Sequence, residues 1–152
     1  MNWVQQVSGI TQLIGAISFI DPNTGFATCL QGNFLKTTDA GANWSLVNAA
    51  AGSFRTIYFR NANTGYQAAM SSGLLYKTTN GGANYSALIT GYPSSFRSIY
   101  FTGDNTGYLV TSNAKILKTT NAGTNWQQID STVDAFYADI FFSDSLTAYV
   151  SG

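Results

Sequence analysis

The sequence predicts an all-β fold, a β-propeller of four-stranded, 41-residue blades, and three observations predict it. First, Lys36-Thr37-Thr38-Asp39-Ala40-Gly41-Ala42-Asn43-Trp44 returns as Lys77-Thr78-Thr79-Asn80-Gly81-Gly82-Ala83-Asn84-Tyr85 and as Lys118-Thr119-Thr120-Asn121-Ala122-Gly123-Thr124-Asn125-Trp126, each 41 residues further on. Second, Asn23-Thr24-Gly25-Phe26 returns as Asn63-Thr64-Gly65-Tyr66, Asn105-Thr106-Gly107-Tyr108 and, more weakly, Leu146-Thr147-Ala148-Tyr149. Third, no segment sustains a helical 3.6-residue period, whereas short β-branched and aromatic runs alternate with Gly, Asn and Ser turns. Four antiparallel strands at this period form a blade, which buries both faces only by stacking radially on its neighbours. A parallel β-helix is the alternative, but its repeats are shorter and do without hairpin turns of this kind.

Each element follows from the repeat. Moving back 41 residues from Trp44 reaches Trp3, preceded by Asn2 as Trp44 is by Asn43, so the chain opens in phase with an outer strand over 3–7. In the second unit, strands are predicted over 55–59, 66–70, 74–78 and 85–89, with turns at 61–65, 71–73 and 80–82. The last unit supplies an innermost strand over 137–142 and a second over 147–151. The expected division of the single domain 1–152 is an outer strand in 1–13, units 14–54, 55–96 and 97–136, and a partial unit 137–152. That makes about four blade equivalents with one strand missing, the counterpart of 112–123 with its turn. Three closures stay open: a four-bladed ring in one chain, two chains exchanging termini to make eight blades, or a segment of a longer array.

Composition narrows the chemistry. Only 9% of the 152 residues are charged, with 7 Lys+Arg against 7 Asp+Glu. Every acid is Asp, and there is no Glu or His, which removes the commonest general base and imidazole ligand. No enzyme activity, cofactor or metal site is expected. Zero net charge without clustered Lys/Arg speaks against nucleic acid, and no apolar run reaches the length of a membrane span. The N-terminus carries no basic region followed by an apolar one, so no signal peptide is read in it. Cys29 stands alone in an apolar stretch and is expected to be buried and inert.

The repeated turn resembles the Asp-box, or bacterial neuraminidase repeat, Ser/Thr-x-Asp-x-Gly-x-x-Trp. Thr37, Asp39, Gly41 and Trp44 match it fully; Thr119, Gly123 and Trp126 match with Asn121 in the Asp place, and Thr78 and Gly82 with Asn80 and Tyr85. An Asx side chain accepts backbone N–H groups in such a turn, Gly takes a conformation closed to other residues, and the aromatic covers the hairpin. Asn keeps the acceptor and loses the charge, so these residues are read as turn architecture. With Ile57-Tyr58-Phe59 and Ile99-Tyr100-Phe101, the whole chain resembles the photosystem II assembly and stability factor propellers, a family that also holds many secreted bacterial proteins. The resemblance implies the fold strongly and the function weakly. Sialidases share the Asp-box, but their arginine triad with Tyr, Glu and Asp has no counterpart in a chain with no Glu and only Arg55, Arg60 and Arg97.

Two candidate binding features remain. Arg55 and Arg97 recur at one position just before the innermost strand, where Gly15 and Ala138 stand in the first and last units. At a channel rim they would hold a carboxylate, phosphate or peptide terminus, or else pair with a nearby Asp or loop carbonyl. Tyr92, beside Pro93 in the longest inter-unit loop, is the candidate for stacking on a sugar. Lys36, Lys77 and Lys118 read as a solvated blade edge that discourages strand addition. The function expected is a non-enzymatic scaffold that binds protein, itself included, outside the cytoplasm or on a particle surface. The alternatives are a glycan-binding module or fragment of a glycan-acting enzyme, and an assembly chaperone of the photosystem type.

Overall fold

A computed structural model describes residues 5–49, 52–70, 73–130 and 136–152, with the Asp130 side chain excepted. It contains fourteen strands, and no helix among the described residues. The first blade is β1 (Ile14–Phe19), β2 (Gly25–Cys29), β3 (Asn33–Thr37) and β4 (Ser45–Ala49). The second is β5 (Phe54–Phe59), β6 (Gly65–Ala69), β7 (Leu74–Thr78) and β8 (Ser86–Ile89). The third is β9 (Phe96–Phe101), β10 (Gly107–Thr111), β11 (Ile116–Thr119) and β12 (Gln127–Asp130). A half-blade of β13 (Asp139–Phe142) and β14 (Ala148–Ser151) follows. Every sheet is antiparallel with its strands in chain order, as a propeller requires. The innermost strands pack side by side as β1, β5, β9 and β13, and β13 does not pack back onto β1 among the described residues.

Local chemistry explains the hairpins. Between the first two strands of a blade, one side-chain oxygen accepts two backbone N–H groups: Asp21 Oδ1 from Asn23 and Thr24, Asn61 Oδ1 from Asn63 and Thr64, and Asp144 Oδ1 from Leu146 and Thr147. The Gly of Asn-Thr-Gly has a steric cause. A Cβ at Gly25, Gly65 or Gly107 would stand 2.5–2.6 Å from the ring of Phe19, Phe59 or Phe101, which lies across its own second strand.

Blades join through their aromatics. Phe59 stacks back on Phe26, Phe101 on Tyr66, and Phe142 packs on Tyr108, with centroids 3.7, 4.3 and 4.6 Å apart. Ile57, Ile99 and Ile140 are buried in the same joints, which form three successive apolar clusters in place of one central core.

Two expectations are corrected. Trp3 and Val4 lie outside the described residues, and 5–7 are not in a strand. The segment lies against the first blade: Gln6 Nε2 donates to Ala40 O, and Ile10 packs on the cluster of Ala27, Cys29 and Leu35. The lysines do not line a blade edge. They sit on the third strand, half-buried, with Nζ 5.5–5.6 Å from the ring centres of Phe26, Tyr66 and Tyr108 on the adjacent strand. Each ring that the next blade's phenylalanine contacts therefore also carries an ammonium group within cation–π reach.

Candidate functional site

The first candidate is built from a repeated backbone irregularity. Pairing of β5 with β6 slips between Phe54 and Thr56, and pairing of β9 with β10 slips opposite Arg97, so Arg55 and Arg97 are the unpaired residues of two equivalent bulges. β5 and β9 begin at Phe54 and Phe96, so both arginines lie within their strands rather than just before them. A bulge bends its strand and re-aims the side chain it carries. The first blade has the same slip at Gly15, but there a Cβ would stand 2.5 Å from Phe54 O, so no larger residue fits.

Arg55 and Arg97 both line one cavity of about 250 Å3, together with Phe136, Tyr137, Ala138 and Gly152. Arg55 is exposed and Arg97 half-buried. Among the described residues neither forms an ion pair or a side-chain hydrogen bond; the ion pair found among them joins Arg60, just past the opposite end of β5, to Asp104. Two fork-shaped donors in a pocket walled by an aromatic ring suit a carboxylate or phosphate oxygen pair. Tyr137 and Phe136 escaped the sequence reading. Tyr137 stands where Phe54 and Phe96 precede the two arginines, so superposing the fourth unit on the others would have found it.

The turns after the third strand share one geometry. Thr37, Thr78 and Thr119 Oγ1 each accept the N–H of Gly41, Gly82 and Gly123, and each donates to the Asx oxygen of Asp39, Asn80 and Asn121. Those oxygens accept the N–H of Asn43, Asn84 and Asn125. Asn43 Nδ2 also donates to Asp39 Oδ2, and these bonds hold the Asp39 carboxyl below its ordinary range. Trp126 Nε1 closes its turn by donating to Gly123 O. Neighbouring blades dock on these turns: Asn48 donates to Gly82 O and Ala83 O, and both Tyr66 and Lys77 donate to Ala122 O. Among the described residues no cluster of three metal-binding side chains exists.

Comparison with known proteins decides the family. The sequence profile described as photosynthesis system II assembly factor YCF48 matches residues 1–149. The chain belongs to the YCF48 family. No curated protein sequence matches it. Among solved structures, YCF48 bound to D1 peptide is 23% identical with a TM-score of 0.73, and 90% of this chain covers 45% of that one. YCF48 from Cyanidioschyzon merolae is 15% identical with a TM-score of 0.77, over 90% of this chain and 47% of that one. The Niastella koreensis GH74 enzyme is 20% identical with a TM-score of 0.75, over 90% of this chain and 25% of that one. At these identities the likeness is one of fold, and the chain spans less than half of either YCF48 structure.

In this YCF48-family chain the remaining candidates have partners within the fold. Tyr92 does not stand free: its hydroxyl accepts the Gln128 N–H, Lys115 Nζ lies 5.8 Å from its ring centre, and it is not among the residues lining the arginine cavity. Cys29 is fully buried, and burial pushes its thiol up.

Proposed function

We propose that this YCF48-family chain is a non-enzymatic, protein-binding propeller scaffold that takes a carboxylate of its partner at the rim cavity. One observation carries this reading: Arg55 and Arg97 stand at equivalent bulges and line one cavity, with no acidic partner among the described residues. That a YCF48 has been captured with a D1 peptide supports a peptide as the kind of ligand. Tyr137 and Phe136 supply apolar wall for the residue that bears the carboxylate. The glycan reading rests on likeness of fold to a GH74 enzyme, and Tyr92 is engaged at both its hydroxyl and its ring.

Calorimetry with the D1 peptide, and with a panel of peptides each made with a free and an amidated C-terminus, tests the proposal. Amidation, or Arg55→Ala combined with Arg97→Ala, is expected to weaken binding by about tenfold or more. Affinity indifferent to both changes, or no binding across the panel, would overturn it.

Two further elements belong to this reading. The Glu-free composition, rich in Ser, Thr, Asn and Gly, supports a place outside the cytoplasm or on a particle surface; recovery of the chain only from the cytoplasmic fraction of its source would oppose it. The chain also self-associates, and light scattering that returns a mass fixed at 16.3 kDa across concentrations would oppose this.

A further inference from the structure

Asn80 and Gly81 form the one Asn-Gly step in the sequence, and they sit in the second of three matched turns. The place of Asn80 is taken by Asp39 in the first unit and by Asn121 in the third. Asp39 and Asn80 are held alike: each Oδ1 accepts the hydroxyl of Thr37 or Thr78 and the N–H of Asn43 or Asn84, all at 2.8–3.0 Å. The first turn adds one bond, from Asn43 Nδ2 to Asp39 Oδ2 at 2.8 Å. Asn84 brings the same side-chain amide to the second turn, where among the described residues its Nδ2 makes no hydrogen bond. A donor for a carboxylate is in place where no carboxylate stands.

The same turn is open to a reaction that would make one. Asparagine is a chemically labile side chain, and Asn80 is exposed. Its following residue lacks a Cβ to shield the main-chain nitrogen, whereas the other two turns carry Ala40 and Ala122 there, with φ of 59° and 55° against 69° for Gly81. In all three turns the N–H of that residue donates to a main-chain oxygen of the hairpin between the first two strands, that of Asn23, Asn63 or Asn105, at 2.9 Å. This bond occupies the Gly81 nitrogen, so reaction waits on local opening of the turn.

We propose that Asn80 is a deamidation site, converted when its turn opens, and that Asn84 receives the aspartate product as Asn43 receives Asp39. The Gly81 nitrogen gives its proton to water and bonds to Asn80 Cγ; the Cγ–Nδ2 bond breaks, ammonia leaves, and a succinimide ring closes. Water then cleaves one of the two C–N bonds of the imide. Cleavage at Cγ leaves an aspartate side chain on an unaltered main chain, and cleavage at the main-chain carbonyl routes the chain through Cγ as isoaspartate. One water enters and one ammonia departs, with no change of oxidation state. The fold favours the aspartate. Isoaspartate lengthens the main chain by a methylene inside a turn on which Asn48 docks through Gly82 O and Ala83 O, and where even a Cβ on Gly82 would stand 2.0 Å from the Phe34 ring. Conversion also gives a chain of zero net charge one negative charge.

The full chain, incubated at mildly alkaline pH both folded and in unfolding urea, tests this, with tandem mass spectrometry locating each amide that has become an acid. Asn80 is expected to convert about tenfold or more faster than Asn121, its counterpart before Ala122, in both states, and about tenfold or more slower folded than unfolded. Gly81→Ala is expected to bring Asn80 down to the rate of Asn121. Asn80→Asp reads the product: it is expected to keep the wild-type thermal midpoint at neutral pH and to move the Asn84 side-chain amide resonances toward those of Asn43. An Asn80 that stays unconverted in the folded chain, or converts no faster than Asn121, overturns the site. Equal rates folded and unfolded overturn the restraint by the Asn63 carbonyl. A lowered midpoint of Asn80→Asp, or an Asn84 amide that does not respond, overturns the reception of the product.

Discussion

The ring of Phe59 lies on that of Phe26 with centroids 3.7 Å apart and planes 13° from parallel, and this contact fastens the second blade to the first. Because no central core spans the blades, their cohesion is a sum of such joints. Phe59→Ala is expected to cost about 3–5 kcal/mol, the range for emptying a buried aromatic site, and Phe59→Leu about 1.5 kcal/mol or less. Urea unfolding followed by tyrosine and tryptophan fluorescence reads both. A Phe59→Ala loss no larger than that of a surface substitution would show that the blades are held otherwise.

Much of this architecture was legible because its determinants are local. The Thr37, Asp39, Gly41 and Asn43 hydrogen bonds close within one turn, so their spacing in the sequence is their geometry. What the sequence concealed depends on register. Lys36 meets Phe26 because β3 pairs with β2 in that alignment, which is why a lysine ladder read as a blade edge is half of a cation–π stack. The bulges at Arg55 and Arg97 slip the pairing by one residue without altering the apolar pattern on either side. The Tyr92 hydroxyl oxygen accepts the N–H of Gln128, 36 residues away, a meeting no local pattern announces.

Tyr85 occupies the place where Trp126 closes its turn, but its hydroxyl is buried without a hydrogen-bond partner, and burial pushes its pKa far above the ordinary value. An orphaned buried hydroxyl costs about 1–3 kcal/mol. Tyr85→Phe removes the oxygen and keeps the ring against Phe34, 5.6 Å away and nearly perpendicular. Stability is expected to rise by about 1 kcal/mol, visible as a higher thermal midpoint. An unchanged or lower midpoint would mean that the hydroxyl finds a partner in solution.

Ala40 and Ala122 hold φ of 59° and 55°, the left-handed region, at the position Gly81 fills in the second unit with φ of 69°. A residue with a Cβ costs about 1–2 kcal/mol there, while Gly loses about 0.5–1 kcal/mol of chain entropy on folding. Ala122→Gly is therefore expected to stabilise the chain by about 0.5–1 kcal/mol. Its backbone carbonyl, which receives Tyr66 and Lys77, is kept. Equilibrium denaturation decides the sign, and a destabilised variant would contradict it.

Acid should loosen the first unit before the second. The Asp39 carboxylate is held below the ordinary value of 3.8, foremost by the Asn43 side-chain amide, then by the Asn43 N–H and the Thr37 hydroxyl. Asp21 in the same unit is lowered too, chiefly by the backbone N–H groups of Asn23 and Thr24. A carboxyl whose folded-state pKa is depressed contributes stability that is complete above 3.8 and is lost as pH falls through the lowered folded value. The second unit makes its equivalent bonds to Asn61 and Asn80, which do not titrate. As pH falls from about 5 to about 2, hydrogen-exchange protection of the Asn43 amide is expected to drop while that of Asn84 holds. Asp39→Asn should make the two amides respond alike. If Asn43 and Asn84 lose protection together in the wild-type chain, the carboxylate has no special part in that turn.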